Sequence, residues 1–155
     1  MIDMSQFKGN WQQVKAALPA ELSAYQQDIT EAERRLTMKG KTGTEAIQEQ
    51  PGWLAYYGTR KAEAGKLLKY LDARVEGCRS TLIRNYENYS RALSDRMVDK
   101  YVDNEPEYLS YLELYLEVKE IHESLDAIHN AFIARGFSLR DWTALKVVQM
   151  QNDVI

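Results

Sequence analysis

Apolar side chains recur every three or four residues along most of this chain, which is the period of helices that bury one face. Near the start Trp11, Val14 and Leu18 keep the step, and Pro19 suits the first turn of a following helix because that position needs no amide donor. Leu22, Tyr25, Ile29, Ala32 and Leu36 continue the stripe to about residue 38, and Gly40 is placed as a left-handed cap. Residues 40–52, with Gly43, Gln48, Gln50 and Pro51, show no sustained period and read as a loop. From 53 to 93 there is no proline, and Ala64, Leu68, Leu71, Val75, Cys78, Leu82, Tyr86, Tyr89 and Leu93 form a coiled-coil-like seam. Ser94 starts a short helix with a stripe of Met97, Val98, Tyr101 and Val102. Pro106 opens a second long helix whose seam is Tyr111, Leu114, Val118, Ile121, Leu125, Ile128 and Phe132. Gly136 is expected to end it, with Ser138 and Asp141 giving a capping-box-like start to a last helix bearing Leu139, Trp142, Leu145 and Val148.

The pattern predicts an all-α protein built on a long antiparallel helical hairpin, coiled-coil-like, with short flanking helices. Residues 1–50 would be an N-terminal helical arm and loop, and 51–155 the hairpin core with its C-terminal helix. At 1.5 Å per residue the first long helix makes a rod of roughly 60 Å, which needs partners along its length. Leu109, Leu112, Tyr115 and Leu116 give the second long helix apolar residues on more than one stripe, so a hairpin alone leaves some of them uncovered. Self-association into a homo-oligomer covers them. The alternative is a monomeric bundle in which the N-terminal helices do so.

Composition narrows the class. With 155 residues, 45% hydrophobic and 28% charged, the chain is long enough and apolar enough for one domain with a core. Eight glycines and three prolines suit long helices rather than short strands. One cysteine makes no internal disulfide, and no run of apolar residues reads as a signal peptide or a membrane span. The expectation is a soluble, cytoplasmic protein that does not enter a membrane.

The net charge of −3 argues against a broadly basic nucleic-acid coat, but it hides a division along the chain. Residues 51–91 carry eight cations, Arg60, Lys61, Lys66, Lys69, Arg74, Arg79, Arg84 and Arg91, against four carboxylates. Residues 94–126 carry three cations against ten carboxylates. A basic helix with Tyr56 and Tyr57 nearby is suited to tracking a phosphate backbone and stacking bases. The opposing account is that these cations pair with the acidic helix and only keep the hairpin soluble.

No enzyme chemistry stands out. Gly40-Lys41-Thr42 resembles the tail of a phosphate-binding loop, but its first glycine would fall at Arg35 and no strand precedes it. His122, Asp126 and His129 share a helix face, yet they are unsupported by matching Glu-x-x-His units, so no metal or other cofactor is expected. Cys78 lies on the apolar seam and reads as a buried inert thiol.

Leu125-Asp126-Ala127-Ile128, followed by Ala134-Arg135-Gly136-Phe137, resembles the C-terminal part of the UvsY family of phage recombination mediators. Leu71-Asp72-Ala73-Arg74-Val75 is similar to that family's basic segment on the first long helix, and Trp53-Leu54 before it also fits. The resemblance spans roughly residues 53–142. It departs at Asp72, where the family has a lysine, so Arg74 is the one charged residue carried over. It implies a non-enzymatic protein that binds single-stranded DNA, assembles into rings or barrels, and helps a RecA-like recombinase displace a single-strand-binding protein. It would act in the host cell cytoplasm if phage-encoded. The expected DNA-contacting set is Arg60, Lys61, Lys66, Lys69, Arg74 and Arg79. The competing class is a structural or scaffolding coiled-coil protein without a nucleic-acid role.

Overall fold

The computed structural model describes residues 11–89 and 93–152. Among the positions named above, Arg91 and the side chain of Tyr89 lie outside what it describes. Four helices account for nearly all of the described chain: α1 (Trp11–Leu36), α2 (Gly43–Tyr89), α3 (Asp95–Val102) and α4 (Pro106–Asn152). There is no strand among the described residues, so the protein is all-α. None of the described helices is long and apolar enough to cross a membrane.

Two expected breaks are not there, and a third is shorter than expected. α1 continues through Pro19, which is exposed while Leu18 and Leu22 on the inner face are buried, so the missing amide falls on the solvent side. The expected loop at 40–52 shrinks to 37–42, and α2 starts at Gly43. Its start is a reciprocal cap: Thr42 Oγ1 accepts from the Glu45 amide at 3.2 Å, and a Glu45 carboxylate oxygen accepts from the Thr42 amide at 2.8 Å. Gly40 does take the left-handed conformation, at φ 80°, but within the short turn rather than directly at the end of α1. Finally, α4 does not stop at Gly136, and no separate C-terminal helix follows. A Cβ at Gly136 would stand 3.0 Å from Gln50 Nε2, so this glycine allows a close helix approach instead of ending a helix.

Removing the Thr42 hydroxyl deletes half of the cap at the start of α2. Thr42→Ala is expected to cost about 1 kcal/mol, read as a lower urea midpoint at unchanged slope. The bonds from Thr42, its amide first, hold the Glu45 carboxyl below the usual carboxylate range. A lowered folded-state pKa means that this carboxylate supports the cap at neutral pH and ceases to do so only as acid protonates it.

The chain divides into two compact units, one of Met1–Ala62 with Glu123–Ile155 and one of Glu63–His122. In the first, α1 and the ends of α2 and α4 bury Val14, Leu18, Leu22, Tyr25, Tyr57 and Phe132. The Tyr57 and Phe132 rings stack with centroids 5.1 Å apart. Gly58 meets His129, and Gln50 donates to the Phe132 carbonyl, so the α2 and α4 segments run antiparallel in this unit. In the second unit Ala64, Leu67, Leu71 and Val75 of α2 and Val118 and Ile121 of α4 are buried, together with Val98 and Val102 of α3. Gly65 meets His122, and Arg79 lies 5.9 Å from the Tyr108 ring centroid, which again fixes antiparallel segments.

α3 begins after Ser94, whose backbone is extended, but the serine side chain makes no capping bond. The helix is held by burial of Val98 and Val102 and by Arg79, which binds both Asp99 and Asp103.

Candidate nucleic-acid interface

The six basic positions expected to contact DNA fall into two groups. Arg60 and Lys61 belong to the first unit and are engaged there. Arg60 Nε donates to Asp28 of α1 at 2.7 Å, and its guanidinium lies 4.2 Å over the Tyr25 ring. Lys61 forms an ion pair with Asp126 of α4. Asp28 is a buried carboxylate that also accepts from Tyr56 Oη at 2.6 Å and faces Arg35 at 3.5 Å. The Asp28 carbonyl accepts from Tyr57 Oη at 2.8 Å. Arg35 in turn lies 4.5 Å over Trp53.

This network changes the role of the two tyrosines. Tyr57 is fully buried, so it stacks on Phe132 and presents no face to a base. Tyr56 keeps part of its ring exposed but is tied to Asp28 through its hydroxyl. The acid at the centre was missed from the sequence, although Asp28 falls three residues after Tyr25 and four before Ala32, on the stripe that α1 buries.

The other four cations belong to the second unit. Lys66 and Lys69 are exposed on successive turns of α2, and among the described residues neither makes an ion pair. Arg74, five residues beyond Lys69, lies over the Tyr70 ring at 5.2 Å and donates to Tyr70 Oη from Nε and from a terminal nitrogen at 3.2 and 3.0 Å. Arg79 is held between Asp99 and Asp103 at 2.8 and 2.7 Å, and these acids, Asp103 first, hold it in its charged form. Lys66 and Lys69 thus lie on α2 between cations that meet carboxylates, Arg60 and Lys61 before them and Arg79 after them.

Beside Arg74, α2 and α4 of the second unit leave an open groove of about 390 Å³ lined by Tyr70, Arg74, Gly77, Cys78, Glu107 and Tyr111 among others. Cys78 is half-buried at this groove rather than sealed in the seam. Burial, followed by Glu107 and Glu105, pushes its thiol up, so it is protonated at neutral pH and is not an activated nucleophile. Burial likewise pushes the Tyr111 phenol up, with Glu107 adding to it.

The remaining candidate residues make contacts within the fold. Lys41 pairs with Glu49 and Thr42 caps α2, so the Gly-Lys-Thr run is a helix start. His129 and His122 lie against Gly58 and Gly65, and Asp126 is paired with Lys61. Among the described residues no group of three or more His, Cys, Asp or Glu is arranged to hold a metal.

Arg135 of the Arg-Gly-Phe run is buried and donates to Gln50 Oε1 at 3.0 Å, with Gly136 against the same glutamine. In this protein that run is a contact between α4 and α2. Phe137, by contrast, is exposed and has Arg140 5.4 Å from its ring centroid.

Comparison of the chain with protein-family models, with curated proteins and with solved structures finds no match. The UvsY resemblance therefore stands on the short motifs that carry it.

Proposed function

We propose that this protein binds single-stranded DNA and serves as a recombination mediator, a non-enzymatic helper that loads a RecA-like recombinase in place of a single-strand-binding protein. The observation that carries the DNA part is that Lys66 and Lys69 are exposed and make no ion pair among the described residues, beside the Arg74–Tyr70 stack. Phosphates bind such cations at little desolvation cost, whereas Arg60, Lys61 and Arg79 would first have to leave carboxylates. The DNA-facing set is accordingly Lys66 and Lys69, joined by Arg74 because the family resemblance carries that residue, with the other three holding the fold. The recombinase-loading part rests on the resemblance of residues 53–142.

In this reading α2 and α4 form a long antiparallel hairpin and copies of the chain associate. Leu109 and Leu116 of the second unit are exposed, as are Phe137, Leu145 and Val148 of the first, and burial of such side chains is what drives helices to assemble. Assembly also repeats a modest cationic site many times, which multiplies phosphate contacts in a protein of net charge −3.

The second reading, a scaffolding protein with no nucleic-acid role, is favoured by the three ion-paired cations. The two separate on one measurement, the anisotropy of a labelled oligothymidylate titrated with protein between about 50 and 200 mM salt. Binding should weaken steeply with salt, and Lys66→Glu with Lys69→Glu should flatten the log–log slope by about two and weaken binding by about tenfold or more. Arg79→Ala should instead lower stability through α3. Affinity that ignores salt, or that survives the double reversal unchanged, defeats the DNA reading and leaves the scaffold.

A further inference from the structure

The groove beside Arg74 differs from a phosphate site in one respect: it holds a carboxylate, Glu107, as well as the guanidinium. Those charges offset each other, so an anion gains little there. A neutral planar ring with hydrogen-bonding edges fits better, because the groove is lined by the Tyr111 phenol and by the Arg74 guanidinium stacked on Tyr70, two planar groups, with an acceptor from Glu107. Its volume of about 390 Å³ lies at the small end of ligand sites, suited to a single ring system. On α2 it is bordered by Lys69 one residue before Tyr70 and by the exposed Arg84 three residues after the lining Thr81. Those two cations are about 22 Å apart along the helix, a span of several nucleotides of single strand.

We infer that this groove takes one unstacked nucleobase of the bound strand, its face against Tyr111 and the Arg74–Tyr70 stack and its edge toward Glu107, while neighbouring phosphates lie on the exposed lysines. This rests on the DNA reading above and adds to it: backbone contact alone needs only Lys66 and Lys69, whereas a base in the groove makes binding depend on the bases themselves.

The chain supplies its own reporter, because its only cysteine, Cys78, lines the groove. Alkylation of Cys78 by N-ethylmaleimide in the full-length protein is followed by mass, free and with two probes of equal length: oligothymidylate and the same backbone carrying abasic sites. Oligothymidylate should slow the reaction severalfold and the abasic strand should not. A Cβ at Gly77 meets nothing within 4 Å, so Gly77→Phe obstructs the groove without a backbone clash. That variant should keep its helix content, lose the protection and weaken oligothymidylate binding by about tenfold, the typical worth of one stacked base.

Equal protection by both strands overturns the inference in favour of backbone contact. Salt-dependent oligothymidylate binding with Cys78 reacting at the unprotected rate overturns it while leaving the DNA reading in place. No binding of either strand at low salt removes the DNA reading, and the groove assignment falls with it.

Discussion

Phe132→Ala is expected to destabilise the protein by about 3–5 kcal/mol, among the largest effects of any single truncation of its core. Phe132 is fully buried and its ring stacks on Tyr57, itself fully buried. Deleting the ring removes the transfer free energy of a large aromatic and leaves a void beside Tyr57 that helices of fixed spacing cannot collapse. The neighbours argue against relaxation: Gln50 bonds the Phe132 carbonyl, and Gly58 packs on His129 one turn away. Urea unfolding followed by circular dichroism at 222 nm checks the value. Phe132→Leu keeps most of the volume and should recover more than half of the loss. A loss of under about 1 kcal/mol for Phe132→Ala would mean that this contact between α2 and α4 is not part of the cooperative core.

Helix class and most seam positions were open to inspection from spacing alone, because Val14, Leu18, Leu71, Val118, Ile121 and Leu125 are apolar residues at helical intervals. The start of α2 was not. Its inward residues are small or polar: Gly43 meets Trp142, Gln50 meets Gly136 and Arg135, and the buried Ala46 lies between them in sequence, so an apolar period has little to register there. The capping pair Thr42 and Glu45 was the available signal. Gly136 misled for the same reason. Glycine ends helices because it tolerates positive φ, but it also lets two helices touch, and sequence alone does not separate those uses.

The candidate interface was half visible. The charge division along the chain was there to count, and it picked out the helix that carries the exposed lysines. Which cations stay available depends on partners far away in sequence: Asp28 for Arg60, Asp99 and Asp103 for Arg79. The opposing account, in which the cations pair with the acidic segment 94–126, fits Lys61 with Asp126 and Arg79 with Asp99 and Asp103; Arg60 meets an acid of α1 instead, and among the described residues the account stops short of Lys66 and Lys69. Charge complementarity between helices and charge left over for a ligand thus occur in one helix, sorted by which side chains an acid can reach.

Asp28→Ala should cost about 3 kcal/mol, a large loss for one polar side chain. The carboxylate is buried on α1, and Arg60 and Tyr56 of α2 both bond it. Removing it leaves the Arg60 guanidinium, whose side chain is only 13% exposed, without that anion in a site closed to most water. Arg35 is less affected because Glu31 remains beside it. The loss therefore includes the cost of a buried cation deprived of its Asp28 anion as well as the net worth of the pair, and this makes a second variant decisive. Asp28→Leu combined with Arg60→Leu removes both charges, fills the space with apolar groups and should regain most of the stability lost in Asp28→Ala. Because both residues lie outside the proposed DNA-facing set, the double variant should also bind oligothymidylate with the salt dependence of the parent protein. Weaker binding with a slope reduced by about one would return Arg60 to the interface as a phosphate contact. An unchanged slope makes the Asp28–Arg60 pair a fastener of α1 on α2 and nothing more.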